Sequence, residues 1–512
     1  MPATIYQAHG TSINREDALA SEKNVIARNS QFYSLVHLSE RLWRDRPAVA
    51  ALVAMHVGAR PECVEMGDPK IWKRGGFNLV VPMIVRDKEP RAEDKSEGRD
   101  TGTDKASGQA APPVLLRIPL PAKVGEVQHP GSVMDKLRCE MASYIWMQRH
   151  CPEAVAAWLR KPVPSAYLPV ALPPGPVPQP LEETGYMILE NLSGAQFGRQ
   201  LPYVVPRDRP LHKLCDDEPV KTRNLCRDLS RIMLSLARVP QPRIGAFWVC
   251  LADGTIRLNG RPATCDMAIS ESEGAARTIA LDTTYASADR YVADLARFHE
   301  LGFRARPNAA LDKEDAQLQM AIMVALRAVA HHFVDAGAAD NCGPFLPYLS
   351  DGNAGNILVD GDWHVTAIFD LEWLFAAPVA QLQPPLWLTW DSIDHVALQE
   401  DTPLSDAMEA NWTSERTWFY LALSSVDGMT HIYNRRLKRL FWPAAVETGA
   451  DTDGGSDEKA DTDKPHQEAA PALPDEALYQ LWQPDARAII AQKLIDREQH
   501  VAAIERLFED KA

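Results

Sequence analysis

From about residue 22 to 58, Val25, Phe32, Leu35, Leu38, Leu42, Val49, Leu52 and Val53 recur in places at spacings of three and four. That spacing predicts helix, with Pro47 as an interruption. The rhythm then changes. KRGGFNLVVPMIVRD (73–87) is a glycine turn followed by a β-type run, and PVLLRIPLP (113–121) is a second short strand with Arg117 inside it. SVMDKLRCEMASYIWMQRH (132–150) returns to helical spacing, with Ser132 as the N-cap and Asp135 as first-turn negative charge. Eight prolines in the nineteen positions 162–180 predict an extended stretch there rather than helix. GYMILENLSG (185–194) reads as a strand ending at a polar turn.

Beyond about residue 220 helices dominate, near 221–238, 285–300, 314–336, 404–442 and 476–509. A hairpin over 244–260 interrupts them at Asp253-Gly254, a pair suited to a tight reversal. Two short strands, 356–360 and 363–369, flank Gly361-Asp362. The whole predicts an α+β protein in which a small sheet-rich lobe precedes a larger helix-rich lobe, with a cleft between them. The boundaries read as a helical N-terminal extension (1–69), a sheet-rich lobe (70–194), a helical lobe (195–446), an acidic segment (447–476) and a C-terminal helix (477–512).

Composition changes this picture in a few places. Length alone allows roughly three domains. The hydrophobic and charged fractions, 46% and 24%, are those of a globular chain with enough apolar residues for a sizeable core. Residues 87–113 hold no aromatic residue and no Val, Ile or Leu, so they have nothing to offset the entropy of folding and read as a disordered insert. The acidic segment reads the same way. It carries ten acids against two lysines, so −8 of the net −15 resides there and −7 elsewhere. A chain of this charge is a poor binder of nucleic acid, because a phosphate backbone needs a basic face. There is no internal repeat, no apolar run long enough to span a bilayer and no signal-peptide pattern, which predicts a soluble, cytoplasmic protein. The eight cysteines form no CxxC or CxH pair and predict thiols rather than a zinc site or a disulfide framework.

The stretch richest in chemistry is LSDGNAGNILVDGDWHVTAIFDLEW (349–373), with four aspartates and two asparagines between apolar runs. As an EF-hand loop starting at Asp351 it fails, since positions five, six and twelve are Gly355, Asn356 and Asp362. A plain surface hairpin is the simple reading, yet Asp370 and Glu372 follow an apolar run where a solvated turn has no need of them. The alternative is a Mg²⁺-dependent phosphoryl-transfer site, which needs a carboxylate beside the attacking hydroxyl and oxygen ligands for a nucleotide-bound metal. Asp351 and Asn356, five apart across a glycine-containing turn, can face one cavity. The hairpin brings Asp370 back beside Asn356 fourteen residues later.

D-x-x-x-x-N-I-L-V-D followed by I-F-D-L-E-W resembles the catalytic and metal-binding segment of aminoglycoside phosphotransferase-like proteins, which share the protein-kinase-like fold. AAPVAQLQPPLWLT (376–389) is similar to the large fungal branch of that family, many of whose members have no assigned substrate. The resemblance runs from about 70 to 443, with its specific motifs mainly in 345–390. It implies Asp351 as catalytic base and Asn356 and Asp370 as Mg²⁺ ligands. It implies Gly75 and Gly76 in the loop over the phosphates, Arg117 as the phosphate-gripping cation and Glu140 as that cation's helix partner. Residues 187–192, with Glu190 and Leu192, would offer backbone to the adenine. ATP or GTP would be the co-substrate and an unidentified small molecule the acceptor. The acidic segment is a place for a protein partner.

Two positions depart from the family pattern. Leu349 stands where histidine is usual, and Arg117 where lysine is usual; arginine is longer and planar and does not replace lysine equivalently. These departures favour the alternative of a pseudokinase that binds nucleotide or a partner without catalysis. Glu372 is a candidate support for a second metal if the strand through Asp370 continues. Trp387, Trp390 and Trp412 read as core rather than a substrate stack, and His331 and His332 lack a carboxylate pattern for metal binding.

Overall fold

The computed structural model describes residues 4–6, 11–21, 23–86, 114–151, 177–192, 198–201, 217–250, 253–334, 339–383, 385, 403–425, 428–442 and 475–509. The expectations for 87–113, 162–176, 386–390 and 447–474 lie outside these residues. The described chain is mixed α+β, built from small antiparallel sheets and many helices.

A two-stranded ribbon, β1 (Ile5–Tyr6) and β2 (Ser12–Ile13), is followed by α1 (Arg15–Ala20), α2 (Val25–Arg44) and α3 (Arg46–Val57). Asn24 caps α2 by accepting from the Ala27 amide at 3.0 Å. Pro47 falls in the first turn of α3, where its missing N–H costs nothing, so it opens a second helix rather than merely interrupting one. β3 (Val64–Met66), β4 (Lys73–Arg74), β5 (Asn78–Val85), β6 (Val114–Pro119) and, later, β7 (Met187–Glu190) form a five-stranded antiparallel sheet in the order β3-β5-β6-β7, with β4 also on β5.

Strand alternation decides what each face of this sheet holds. Leu79, Val81 and Met83 of β5 and Leu116 and Ile118 of β6 share one core with Leu35, Leu38, Leu42 and Val53 of α2 and α3. Arg117 therefore emerges on the opposite face, paired in register with Val80. The N-terminal helices and the sheet bury their apolar faces against each other.

α4 (Ser132–His150) crosses that opposite face. Its start differs from the expectation. Gly131, at φ 96°, occupies the cap position, and the Glu126 carboxylate accepts from the Gly131 and Val133 amides at 2.8 and 2.7 Å. Ser132 instead donates its hydroxyl to the His129 carbonyl at 2.6 Å. The capping group lies six residues upstream of the position where local cap rules place it. The last two positions of the proline-rich stretch are helical rather than extended: they open α5 (Gln179–Thr184), which tolerates Pro180 because it sits in the first turn.

β8 (Arg199–Gln200), α6 (Pro219–Ala237) and the hairpin β9 (Gly245–Val249) and β10 (Ile256–Gly260) follow. Gly254 turns the hairpin at φ 68°, and Asp253 accepts from the Thr255 amide at 2.9 Å. A helix not anticipated comes next, α7 (Cys265–Ser272), capped by the Thr264 hydroxyl. The long α8 (Ala288–Ala305) and α9 (Lys313–Phe333) lead into β11 (Leu346–Leu349), β12 (Ile357–Val359), β13 (Val365–Ile368) and β14 (Leu374–Ala377). These strands complete a sheet ordered β10-β9-β14-β11 and another ordered β13-β12-β8.

The expected helix over 404–442 is broken into α10 (Pro403–Thr413), α11 (Arg416–Ser424), α12 (Met429–Ile432), a π-type turn at Tyr433–Leu437 and α13 (Lys438–Phe441). Glu415 at φ 59° makes one of the breaks. After α14 (Asp475–Leu478), the final helix α15 (Ala486–Glu509) packs Ile504 and Phe508 against Ile5, Ala18 and Val25, and Glu505 pairs with Arg15. The largest core gathers α8, α9, α11 and β14 around Tyr291, Phe345, Phe375 and Phe419. No helix among the described residues is long and apolar enough to cross a membrane.

Truncating Leu42, which is fully buried on α2, to Ala removes contacts to the sheet core. Urea titration of Leu42→Ala is expected to show a loss of about 2–5 kcal/mol. A neutral outcome would mean that the N-terminal helices and the sheet are energetically separate.

Candidate functional site

The site is assembled on the face of the five-stranded sheet opposite its helical core. β11 delivers the chain to Asp351. Ser350 is tied to the Trp373 carbonyl at 2.7 Å, and Asn353 closes a one-turn 3₁₀ segment by accepting from the Gly355 amide at 2.8 Å. Asn356 follows, and its carbonyl accepts the Phe369 amide at 3.0 Å as the β12–β13 hairpin returns. The next residue, Asp370, has a left-handed backbone at φ 60°. A non-glycine residue there costs of order 1–3 kcal/mol and persists only when its surroundings over-determine it. Its amide donates to the Tyr144 hydroxyl at 3.2 Å, and its carboxylate meets Arg117 Nη1 at 2.6 Å.

Arg117 is the hub of a buried ion cluster. Its Nε lies 2.8 Å from Glu140 on α4, and its Nη2 lies 3.1 Å from Glu372. Lys136, one turn before Glu140, reaches Glu140 at 3.1 Å, Glu372 at 3.0 Å and the Asn78 side-chain oxygen at 2.8 Å. Asn78 returns a hydrogen bond to Glu372 at 3.1 Å. The strand does not continue through Asp370, so the condition for a Glu372 role at a second metal is not met. β13 ends at Ile368, and Glu372 turns inward, where it anchors both cations instead of offering free oxygens to a second metal.

Two cations face three carboxylates here, so the cluster is one positive charge short. Burial works to raise all three carboxyls. At Glu372 the nearby Lys136 and Arg117 outweigh it and lower the value to about 2. At Glu140 and Asp370 burial prevails over Arg117, and both are raised. The three carboxylates bring ligand oxygens within 4.8 Å of one another. Arg117 and Lys136 already occupy the space among them. The open donors are the less enclosed side of Asp370, whose side chain is 28% exposed, and the Asn356 amide oxygen, whose nitrogen is turned toward the Asp351 carbonyl at 3.5 Å. This carboxylate and amide form a hard-oxygen set of the kind a small divalent cation takes while keeping water or phosphate ligands.

Asp351 is pushed up to about 6. Burial is the main cause, with the negative charges of Glu372 and Asp266 adding to it and a hydrogen bond from Asn356 opposing it.

Two cavities meet at this floor. The larger, of about 1040 Å³, is lined by Gly75, Gly76 and Asn78, by Arg117, and by Glu190 and Leu192 at the end of β7. The smaller, of about 430 Å³, is walled by Leu229, Ile232, Met233 and Leu236 of α6, with Asp266 at the start of α7. Asp351, Asn353, Asn356, Ile368, Phe369 and Asp370 border both. Every residue to which the resemblance assigns a site role thus lines the larger cavity except Glu140, which is fully buried behind Arg117. Gly75 and Gly76 have no positive φ, and a Cβ at Gly76 would meet nothing within 4 Å, so the turn itself does not require glycine there.

Sequence reading missed Lys136, Tyr144 and the anchoring role of Asn78. The available signal was a lysine and a glutamate four apart on a helix, on the same side as Val133 and Leu137. Leu349 pairs with Leu374 in register and packs at the edge of an apolar cluster. The His331 and His332 rings are tilted 39° to each other with centroids 4.0 Å apart, and Trp412 stacks on Trp418 with ring centroids 6.3 Å apart. No family model, no curated protein and no solved structure matches the chain.

The raised Asp351 carboxyl has a thermodynamic signature. Its folded value of about 6 lies above its ordinary 3.8, so ionisation costs folded-state stability as pH rises through that window. Relative to wild type, Asp351→Asn should gain up to about 3 kcal/mol between about pH 4 and pH 8, less for partial exposure of the side chain. Melting temperatures of both proteins across that range check this. A pH-independent difference would mean that the carboxyl is solvated.

Proposed function

We propose that the chain is a phosphotransferase of the two-lobed, protein-kinase-like kind, moving the γ-phosphoryl group of ATP or GTP to a hydroxyl of a small molecule. One observation carries the reading: two cavities of unlike character meet at Asp351, Asn356 and Asp370. The larger has Lys73, Arg74, Arg117 and Arg199 among its walls, beside the carboxylates of Glu190, Asp351, Asp370 and Glu372, so it offers a polyanion cations to pair with. The described lining of the smaller carries no Lys, Arg or His. A donor and an acceptor bound in the two cavities share one floor, which is the requirement for direct transfer between them.

In this reading the Gly75-Gly76 turn covers the triphosphate and the chain at Glu190–Leu192 offers backbone to the base. Arg117, steered by Glu140 and Glu372, faces the phosphates. Asn356 and Asp370 would hold Mg²⁺, which when bound neutralises phosphate charge. Asp351 orients the acceptor hydroxyl and receives its proton. The acceptor oxygen forms its bond to the γ-phosphorus as the bond to the β–γ bridging oxygen breaks, and that oxygen keeps the electron pair and leaves on the nucleoside diphosphate. The reading fits a soluble, cytoplasmic protein, where nucleotide and Mg²⁺ are both present.

A second reading, a nucleotide- or partner-binding scaffold without turnover, is favoured by one contact. The 2.6 Å pair with Arg117 engages a carboxylate oxygen of Asp370 that a metal would also seek. The two readings part on measurement. Mg²⁺ with ATP or GTP is expected to raise the melting temperature, and Asp370→Ala to abolish the Mg²⁺-dependent part of that rise. Asp351→Asn should keep the rise but lose turnover by about 10²–10⁴-fold. Wild-type kcat/KM should increase with pH through about 6, as Asp351 ionises. A nucleotide shift with no transfer to any acceptor would leave the scaffold reading. No shift with either nucleotide would sink the phosphotransferase reading and leave a partner-binding scaffold.

A further inference from the structure

We infer that the acceptor is a small, predominantly apolar alcohol carrying no anionic group, seated in the 430 Å³ cavity with its hydroxyl at Asp351 and its hydrocarbon body against α6. The inference rests on the phosphotransferase reading for the transfer step and on the cavity walls for the ligand class.

The walls sort ligands by charge and by polarity. α6 turns Leu229, Ile232, Met233 and Leu236 toward the cavity, a stripe at spacings of three and four that buries Leu229, Ile232 and Leu236 almost completely. Leu421 of α11 adds to the lining. The charged groups among the described lining residues are Asp266, Asp351 and Asp370, all of one sign. A phosphate or carboxylate on the acceptor would sit among like charges with no cation to pair with, in a poorly solvated space. Asn353, Gln381, Gln383, Ser424 and Ser425 also line the cavity and can pair with a few hydroxyls, but a polyhydroxylated acceptor would lose water from those that face the aliphatic α6 wall. An apolar alcohol meets neither cost: its one hydroxyl reaches the carboxylate, and its chain displaces water from the α6 wall.

Charge separates the two cavities in the same way. The basic side chains lie along the larger one, set beside the carboxylates of Glu190, Asp351, Asp370 and Glu372, whereas the smaller has carboxylates alone. A nucleotide is drawn there, while an uncharged alcohol is left to the smaller. Transfer then proceeds as for any hydroxyl. The alcohol oxygen bonds to the γ-phosphorus, its proton passes to Asp351, and the nucleoside diphosphate departs with the bridging oxygen and its electron pair.

The test uses the full-length protein and a matched set of probes: 1-butanol, 1-hexanol, 1-octanol, 6-hydroxyhexanoate and sorbitol. Binding is read by saturation-transfer NMR without nucleotide, and transfer by release of ADP with Mg²⁺·ATP. Affinity should rise about three- to fourfold per added methylene until the cavity is filled. 6-Hydroxyhexanoate and sorbitol should bind at least about tenfold more weakly than hexanol. Met233→Lys, which adds a cation to the wall, should weaken octanol and improve 6-hydroxyhexanoate, while the nucleotide-induced thermal shift persists. Equal binding of hexanol, its carboxylate analogue and sorbitol, or no binding of any alcohol at its solubility limit, would overturn the ligand class. Chain-length-dependent binding with no ADP release from any probe keeps the ligand class and counts against the phosphotransferase reading. ADP release with sorbitol alone does the reverse.

Discussion

The guanidinium of Arg117 is the contact on which the arrangement of the site depends. It is buried at 5% exposure and meets carboxylates from three places: Glu140 on α4, Asp370 after β13 and Glu372 beyond it. Burying a cation without partners is prohibitive, and burying carboxylates without cations is equally so. Desolvation cancels much of the Coulombic gain in such a cluster, so its main consequence is to specify which residues meet. Removing any one member strands the charge of another. The sheet, the helix across it and the hairpin loop are therefore held in one register by a single planar group. Arginine suits this because its fork reaches three acceptors at once, where lysine offers a point charge.

Lys136 makes the arrangement workable. Without it Arg117 alone would face three carboxylates. With it and Asn78, Glu372 becomes the most firmly ionised member, lowered to about 2, and the strain of ionisation falls on Glu140 and Asp370. Asp370 is also the member closest to solvent and the one with a left-handed backbone. The deficit of one positive charge thus sits at the edge of the cluster, where a cation from solution can approach it. Asp351 stands across the floor with no cation near enough to offset burial, which is why its carboxyl rises while that of Glu372 falls.

Polarity divides the space above this floor. Basic residues from β4, β6 and β8 line one side, and aliphatic residues of α6 line the other. In the proposed reading the polyanionic donor and the apolar acceptor would lie side by side on this surface. Neither side chain set is unusual; their meeting at Asp351, Asn356 and Asp370 is what gives the site its character. The N-terminal helices contribute indirectly by filling the far face of the sheet, which leaves the Arg117 face to the site.

Much of this was legible in the sequence. The apolar runs LVVPMIV and VLLRIP marked two strands, and Arg117 stood out as the charge inside one of them. The spacing 351, 356, 370 on a hairpin was enough to bring three oxygen-bearing residues to one floor, because both are local geometry. The broken helix at 403–441, the helix at Cys265 and the remote Glu126 cap were not legible, since each depends on a backbone reversal or a capping group that no local window contains. Partners were not legible either. Periodicity tells which side of an element is buried, but it cannot tell a lysine on that side from one in solvent, nor pair Arg117 with Glu372, 255 positions away. The sequence by itself determined most of the elements and the donor atoms of the floor. Tertiary structure alone decided which charges neutralise one another, which carboxyls burial raises and where two cavities open, because those follow from distances between segments that the chain order does not encode.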